Sequence, residues 1–135
     1  MKFKATLLVL SISTLLISYA GTKSTDTLQD KKGMIKVTIM YPNGDGNTFD
    51  MDYYMNKHMP MLAGLLKPMK FYKIDKGIGG RTPDEPVPFL AIGYLYFDKL
   101  SDYHESFGAN AQKILGDIPN YTNAQPLLQI SEVVE

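Results

Sequence analysis

From Met34 to Val134 the spacing of apolar residues alternates between a period of two and a period near 3.6. In "MIKVTIMY" the residues Ile35, Val37, Ile39 and Tyr41 share one face, which reads as a strand, and "PNGDGNT" breaks it with turn formers. "DMDYYMNKHMPML" then follows a helical stripe, with Asp50 as N-cap, Asp52 adding negative charge to the first turn and Phe49 positioned to staple against Tyr54. A second strand in "MKFYKIDKGIG", a proline-rich loop, and a third strand in "FLAIGYLYF" come next. They are followed by a second helix from about Leu100 to Leu115, stopped by Gly116, and a last strand near "LLQISEVV". The order β, α, β, β, α, β predicts an α+β, ferredoxin-like plait. In that arrangement a four-stranded antiparallel sheet carries two helices on one face, and the first and third strands lie in the middle.

The third strand is apolar on both sides. Phe89, Ala91, Gly93, Leu95 and Phe97 form one face, and Leu90, Ile92, Tyr94 and Tyr96 the other. Two helices cover only one of them. Leaving the four large side chains of the second face wet would forgo about 6 to 12 kcal/mol of burial, comparable to the net stability of a domain. A second copy packed face to face, closing a dimeric α/β barrel, would cover it.

The first twenty residues follow a different rule. Lys2 and Lys4 precede "ATLLVLSISTLLISYA", with Ser18 and Ala20 as small residues before a possible cut, which is the pattern of a secretory signal peptide. Its apolar centre is shorter than the roughly 20 residues of a spanning helix. Export to the periplasm or medium, with no membrane attachment after cleavage, is the expectation. Residues 21–33, "GTKSTDTLQDKKG", carry almost no apolar side chain and read as a flexible lead. The domain proper is expected over 34–134.

Composition narrows the chemistry. Cysteine is absent, so disulfides, a thiolate nucleophile and cysteine-based zinc sites are excluded. The formal charge is zero, and cleavage would remove two of 14 basic residues and none of 14 acidic ones, so no cationic surface for nucleic acid is in prospect. "GIGG" has no helix after it, as a dinucleotide fingerprint requires, and no cofactor is expected. The two histidines lie far apart with no ligand cluster around them, and no metal is expected. Arg81 sits on a loop as a solvated tip, and His104 reads as half-exposed.

His58 is the candidate for chemistry. Met51, Tyr54, Met55, His58, Leu62 and Leu65 fall on one buried stripe, while Pro60 should bend or end the helix near Met59 and open space beside the imidazole. A base titrating near neutral pH on an inner wall can take a proton from carbon or oxygen, with Tyr54 one turn away to orient a carbonyl. Alternatively His58 is a helix-terminal residue satisfied by a backbone carbonyl. Met55 and Leu62 would line a mainly apolar pocket, and the small Ala91 and Gly93 leave a shallow spot that admits a ligand or only a closer helix. "GDIPNYTN" reads as a rigid connection, with Asp117 and Asn120 as turn formers.

Four stretches together resemble the EthD family of the dimeric α/β barrel superfamily: "FDMDYYMNKHMPM" (49–61), "GIGG" (77–80), "AIGYLYFD" (91–98) and "ILGDIPNYTNAQPLLQISEV" (114–133). The family is named for ethyl tert-butyl ether degradation, where such a protein accompanies an oxidative enzyme system. Its members or relatives include lactone isomerases and polyketide cyclases. The resemblance implies the plait, a homodimer and a small, mostly apolar organic ligand, and adds Asn120 and Tyr121 as residues of a pocket mouth. It supports cofactor-independent acid/base chemistry at His58, or a noncatalytic carrier or accessory protein using the same pocket.

Overall fold

The computed structural model describes residues 28–135, so the expected signal peptide and residues 21–27 of the lead lie outside the described residues. The chain forms β1 (Ile35–Pro42), a first helical segment, β2 (Phe71–Lys76), β3 (Phe89–Phe97), a second helix and β4 (Leu127–Glu132). All strand pairs are antiparallel in the order β2-β3-β1-β4, with β1 and β3 central. This is the ferredoxin-like α+β plait that the alternating periods predict. Among the described residues no helix is long and apolar enough to cross a membrane.

The core sits between the helices and one sheet face. Val37 and Tyr41 from β1 and Ala91, Leu95 and Phe97 from β3 meet Tyr54, Met59, Leu62 and Leu66 from the first helical segment and Tyr103 and Ile114 from the second. On the opposite face Tyr96 is buried rather than wet, because Phe71 stacks on it at 4.4 Å and Met34 and Val133 pack beside them. Leu90, Ile92 and Tyr94 remain half-buried there. The unpartnered apolar surface is therefore smaller than the strand pattern alone implies.

The end of the lead contributes to this cover. Gly33, at φ 88°, turns the chain so that its N–H donates to the Val133 carbonyl at 2.7 Å. Asp30 pairs with Lys73 at 3.4 Å. The last residues of the expected flexible lead are thus hydrogen-bonded onto the sheet.

Of the two outcomes expected at Pro60, a bend or an end of the first helical segment, the end does not occur. The segment runs on as α1 (Met51–Tyr53), a π turn (Tyr54–His58) and α2 (Met59–Leu65). The Met59 N–H donates to the Tyr54 carbonyl, one residue further back than in an α-helix. Pro60 consequently falls in the first turn of α2, where a missing N–H costs least. The widened turn also shifts the buried stripe by one residue, so that His58 and Met59 are both buried and the stripe continues through Leu62 and Leu66.

The second helix, α3 (Leu100–Asp117), also outruns its expected stop. Gly116 has no positive φ and is simply helical, and a 3-10 turn (Ile118–Asn120) follows without a break. One consequence is that Asp117 stands on a helix rather than in a loose turn.

Candidate functional site

Two segments distant in sequence are tied side by side at the start of the first helical segment. Asp50 caps α1 by accepting from the Tyr53 N–H at 2.9 Å, and Phe49 packs edge-on against Tyr54 at 5.1 Å, as the cap and staple require. The Asp50 N–H donates to the Tyr121 carbonyl at 2.7 Å, the Thr122 hydroxyl donates to the Thr48 carbonyl at 2.6 Å, and the Asn123 side-chain oxygen accepts from the Thr48 N–H at 2.8 Å. "GDIPNYTN" is therefore rigid, and its rigidity aims side chains at the π turn.

The π turn and the end of α3 meet at one carboxylate. Asp117 Oδ2 accepts from His58 Nδ1 at 2.8 Å, while Oδ1 accepts from the Tyr53 hydroxyl at 2.8 Å and from Asn120 Nδ2 at 2.9 Å. On the other side of the imidazole, Nε2 lies 3.3 Å from the Tyr121 hydroxyl, which is 2.7 Å from the Tyr41 hydroxyl. The result is a continuous chain, Asp117–His58–Tyr121–Tyr41. Tyr54 stacks on the His58 ring at 5.6 Å and 14°, but its hydroxyl, though fully buried, has no hydrogen-bond partner among the described residues.

Charge states follow from this environment. Burial lowers the His58 pKa below its ordinary 6.5, against the upward pull of Asp117. Burial would raise the Asp117 carboxyl, but hydrogen bonds from Asn120, His58 and Tyr53 outweigh it and hold the group below its ordinary 3.8. Burial pushes Tyr41, Tyr54 and Tyr121 well above the usual phenol range, at Tyr121 against the downward pull of its hydrogen bond with Tyr41. Near neutral pH the site thus holds a carboxylate, a neutral imidazole with its proton on Nδ1, and Nε2 as a free base facing a hydroxyl.

Both lowered values tie stability to pH with the same sign. The unfolded chain binds more protons than the native one as pH drops below about 6.5 at His58 and below about 3.8 at Asp117, so stability falls with acidity in two steps. Chemical denaturation of His58→Asn between about pH 7 and 3 is expected to lose the upper step, below about 6.5, while keeping the lower one, below about 3.8.

The expected site residues divide. His58, Tyr54, Tyr121 and, through Asp117, Asn120 come together. Leu62 is a core residue, and Ala91 and Gly93 lie beneath the first helical segment, where a Cβ on Gly93 would collide with the Tyr54 hydroxyl. The shallow spot on β3 is therefore filled by Tyr54. Met55 is 41% exposed and faces away from the group, because the widened turn sets the stripe on Tyr54, His58 and Met59. The expected apolar pocket between helix and sheet is likewise occupied by side chains. A cleft of about 540 Å³ lies instead between Thr48–Asp50 and Ile118–Gln125, with mixed polar and apolar walls including Phe49, Asn120 and Tyr121. His58 does not line it.

Sequence reasoning missed Asp117, Tyr53 and Tyr41. The available signal was "GDIPNY" itself, in which an acid at a helix end precedes a tyrosine by four residues.

A family model described as the EthD domain matches residues 47–125, which include His58, Asp117 and Tyr121. The chain belongs to the EthD family. This EthD protein is similar to a solved EthD-like protein from Ralstonia eutropha JMP134, with 40% identity, 78% of this chain and 96% of that chain covered, and a TM-score of 0.74. An ethyl tert-butyl ether degradation (EthD) family protein from Bacillus halodurans C-125 shares the fold at 17% identity, with 75% of this chain and 99% of that chain covered and a TM-score of 0.53. No curated protein matches this EthD chain. The matched segment begins after β1, so Tyr41 lies outside it.

Proposed function

We propose that this EthD protein is a cofactor-independent acid/base catalyst acting on a small organic molecule that binds in the cleft against Phe49 and Tyr121. The observation that carries the reading is the Asp117–His58–Tyr121 chain, with an ionised carboxylate on one ring nitrogen and a tyrosine hydroxyl on the other. A proton on carbon beside a carbonyl, or on a hydroxyl, passes to the Tyr121 oxygen as Tyr121 gives its own proton to His58 Nε2. Asp117 balances the imidazolium that forms. Return of the proton to a different atom of the molecule is isomerisation. Where the carbanion or alkoxide first adds to a second carbonyl of the same molecule, the C=O π bond gives way to the new ring bond and the resulting alkoxide takes the proton, which is cyclisation. The separation of 3.3 Å between Tyr121 and His58 is the looser geometry usual before a substrate tightens such a contact.

Enclosure of the imidazole, only 2% exposed, favours a second reading, a carrier that binds the same molecule without turning it over. The two separate in one experiment. Organic compounds are extracted from the purified protein, identified by mass spectrometry and returned to fresh wild-type and His58→Asn protein. Conversion by the first and not the second supports catalysis, and retention without conversion by either supports the carrier.

The protein works as an exported homodimer in this reading. Support for the dimer comes from the half-buried Leu90, Ile92 and Tyr94 on the sheet face that carries no helix. Ile92→Asp is expected to shift the mass in solution, by light scattering, from two chains to one. An unchanged dimer would remove this face from the interface.

A further inference from the structure

We infer that Tyr41 and Tyr54 are positioning residues that let His58 accept a proton without leaving a buried hydroxyl unpaired; this rests on the acid/base reading of the same site. The argument is one of donors and acceptors. With His58 neutral, Nε2 accepts from Tyr121 and the Tyr121 oxygen accepts from the Tyr41 hydroxyl, so each hydroxyl proton in the chain has an acceptor. Once Nε2 carries a proton it donates to the Tyr121 oxygen, and Tyr121 must turn its own proton toward the Tyr41 oxygen. The Tyr41 proton is then displaced from Tyr121 and needs a new acceptor.

One is waiting. Tyr54 packs edge-on against Tyr41 with ring centroids 5.5 Å apart, the two hydroxyls lie close enough to shift each other's ionisation, and the buried Tyr54 oxygen makes no well-formed hydrogen bond among the described residues. Leaving such an oxygen unpaired is costly and calls for an explanation. A reserve acceptor, empty when His58 is neutral and filled when it is charged, supplies it. No bond to carbon changes, since one proton arrives at Nε2 and the hydroxyl protons reorient. Gly93 is the backbone condition for the device, because any Cβ there would displace the Tyr54 hydroxyl.

The ionisable groups that face His58 are few. Asp117 reaches it from α3, Tyr121 from the segment after the 3-10 turn and Tyr54 from its own helical segment, while Tyr53 acts through Asp117. Lys57, next in sequence, is exposed and lies over the Tyr53 ring at 5.7 Å. Phenylalanine in place of Tyr41 or Tyr54 leaves all of these contacts except the hydroxyls in question, and Tyr54→Phe keeps a ring stacked on the imidazole.

The test is an NMR titration of the His58 ring, which needs no substrate. Tyr54→Phe is expected to leave the signals of neutral His58 unchanged and to lower its protonation constant roughly three- to tenfold, the worth of one neutral hydrogen bond. Tyr41→Phe is expected to lower it by at least as much. An unchanged His58 titration in a folded Tyr54→Phe protein overturns the inference, even if Tyr41→Phe does not fold. That outcome leaves the role of Tyr121 and His58 standing, since turnover by His58→Asn tests it separately.

Discussion

Replacing Gly93 with alanine should destabilise the protein by about 3 kcal/mol, at the upper end of the range for overpacking. For a domain of this size that lowers the melting temperature by roughly 10 to 20 °C. β3 is central and paired on both sides, so its backbone cannot retreat from a Cβ that meets the Tyr54 hydroxyl. The informative variant is the double one. With Tyr54→Phe in the background, the nearest remaining atoms are the ring carbon Cζ at 3.5 Å and Met59 Cε at 4.0 Å, both ordinary contacts. Gly93→Ala/Tyr54→Phe should therefore lie within about 1 kcal/mol of wild type, a coupling that only direct contact produces. Tyr54→Phe alone should be neutral or stabilising by about 1 kcal/mol, since it removes a buried oxygen with no partner. Denaturant melts of the four proteins at one pH measure all of this, and equal losses for Gly93→Ala with and without the Tyr54 hydroxyl would contradict it.

His58→Asn should reduce turnover of the extracted compound by about 10² to 10⁴-fold, the usual contribution of a general base. Its stability at pH 7 should change by less than about 2 kcal/mol, because the asparagine amide can still donate toward Asp117. Asp117→Asn should act in the same direction on turnover. It removes the anion that fixes the proton on Nδ1 and balances the charged ring, and it exchanges the acceptor shared by Tyr53, His58 and Asn120. If both variants bind the compound as tightly as wild type while turning it over at the wild-type rate, the chain of hydrogen bonds is only scaffolding.

The architecture is legible in the sequence because strand and helix periods alternate cleanly and turn residues punctuate them. The cap at Asp50 and the staple between Phe49 and Tyr54 are legible for the same reason, since both depend on neighbours in sequence. Pro60 announces a defect in the helix but not its remedy. A missing N–H can be met by a break or by one widened turn, and burial of both His58, against Asp117 and Tyr121, and Met59, in the core, goes with the latter. Met55 is misplaced as a direct result, since a helical wheel assumes one uniform turn. Asp117 is hidden by Gly116, which suggests a stop but is carried through α3. Its role depends on a contact 59 positions away in the chain, which no local pattern records. Gly93 and Ala91 are visibly small, yet whether a small residue admits a ligand or a neighbouring hydroxyl is settled only by what stands opposite.

The pH dependence of kcat/KM for the extracted compound tests the acid/base account most directly. Wild type should lose activity as pH falls through a single ionisation below 6.5, and His58→Asn should show a low rate without that limb. Superimposable profiles for the two proteins would contradict it.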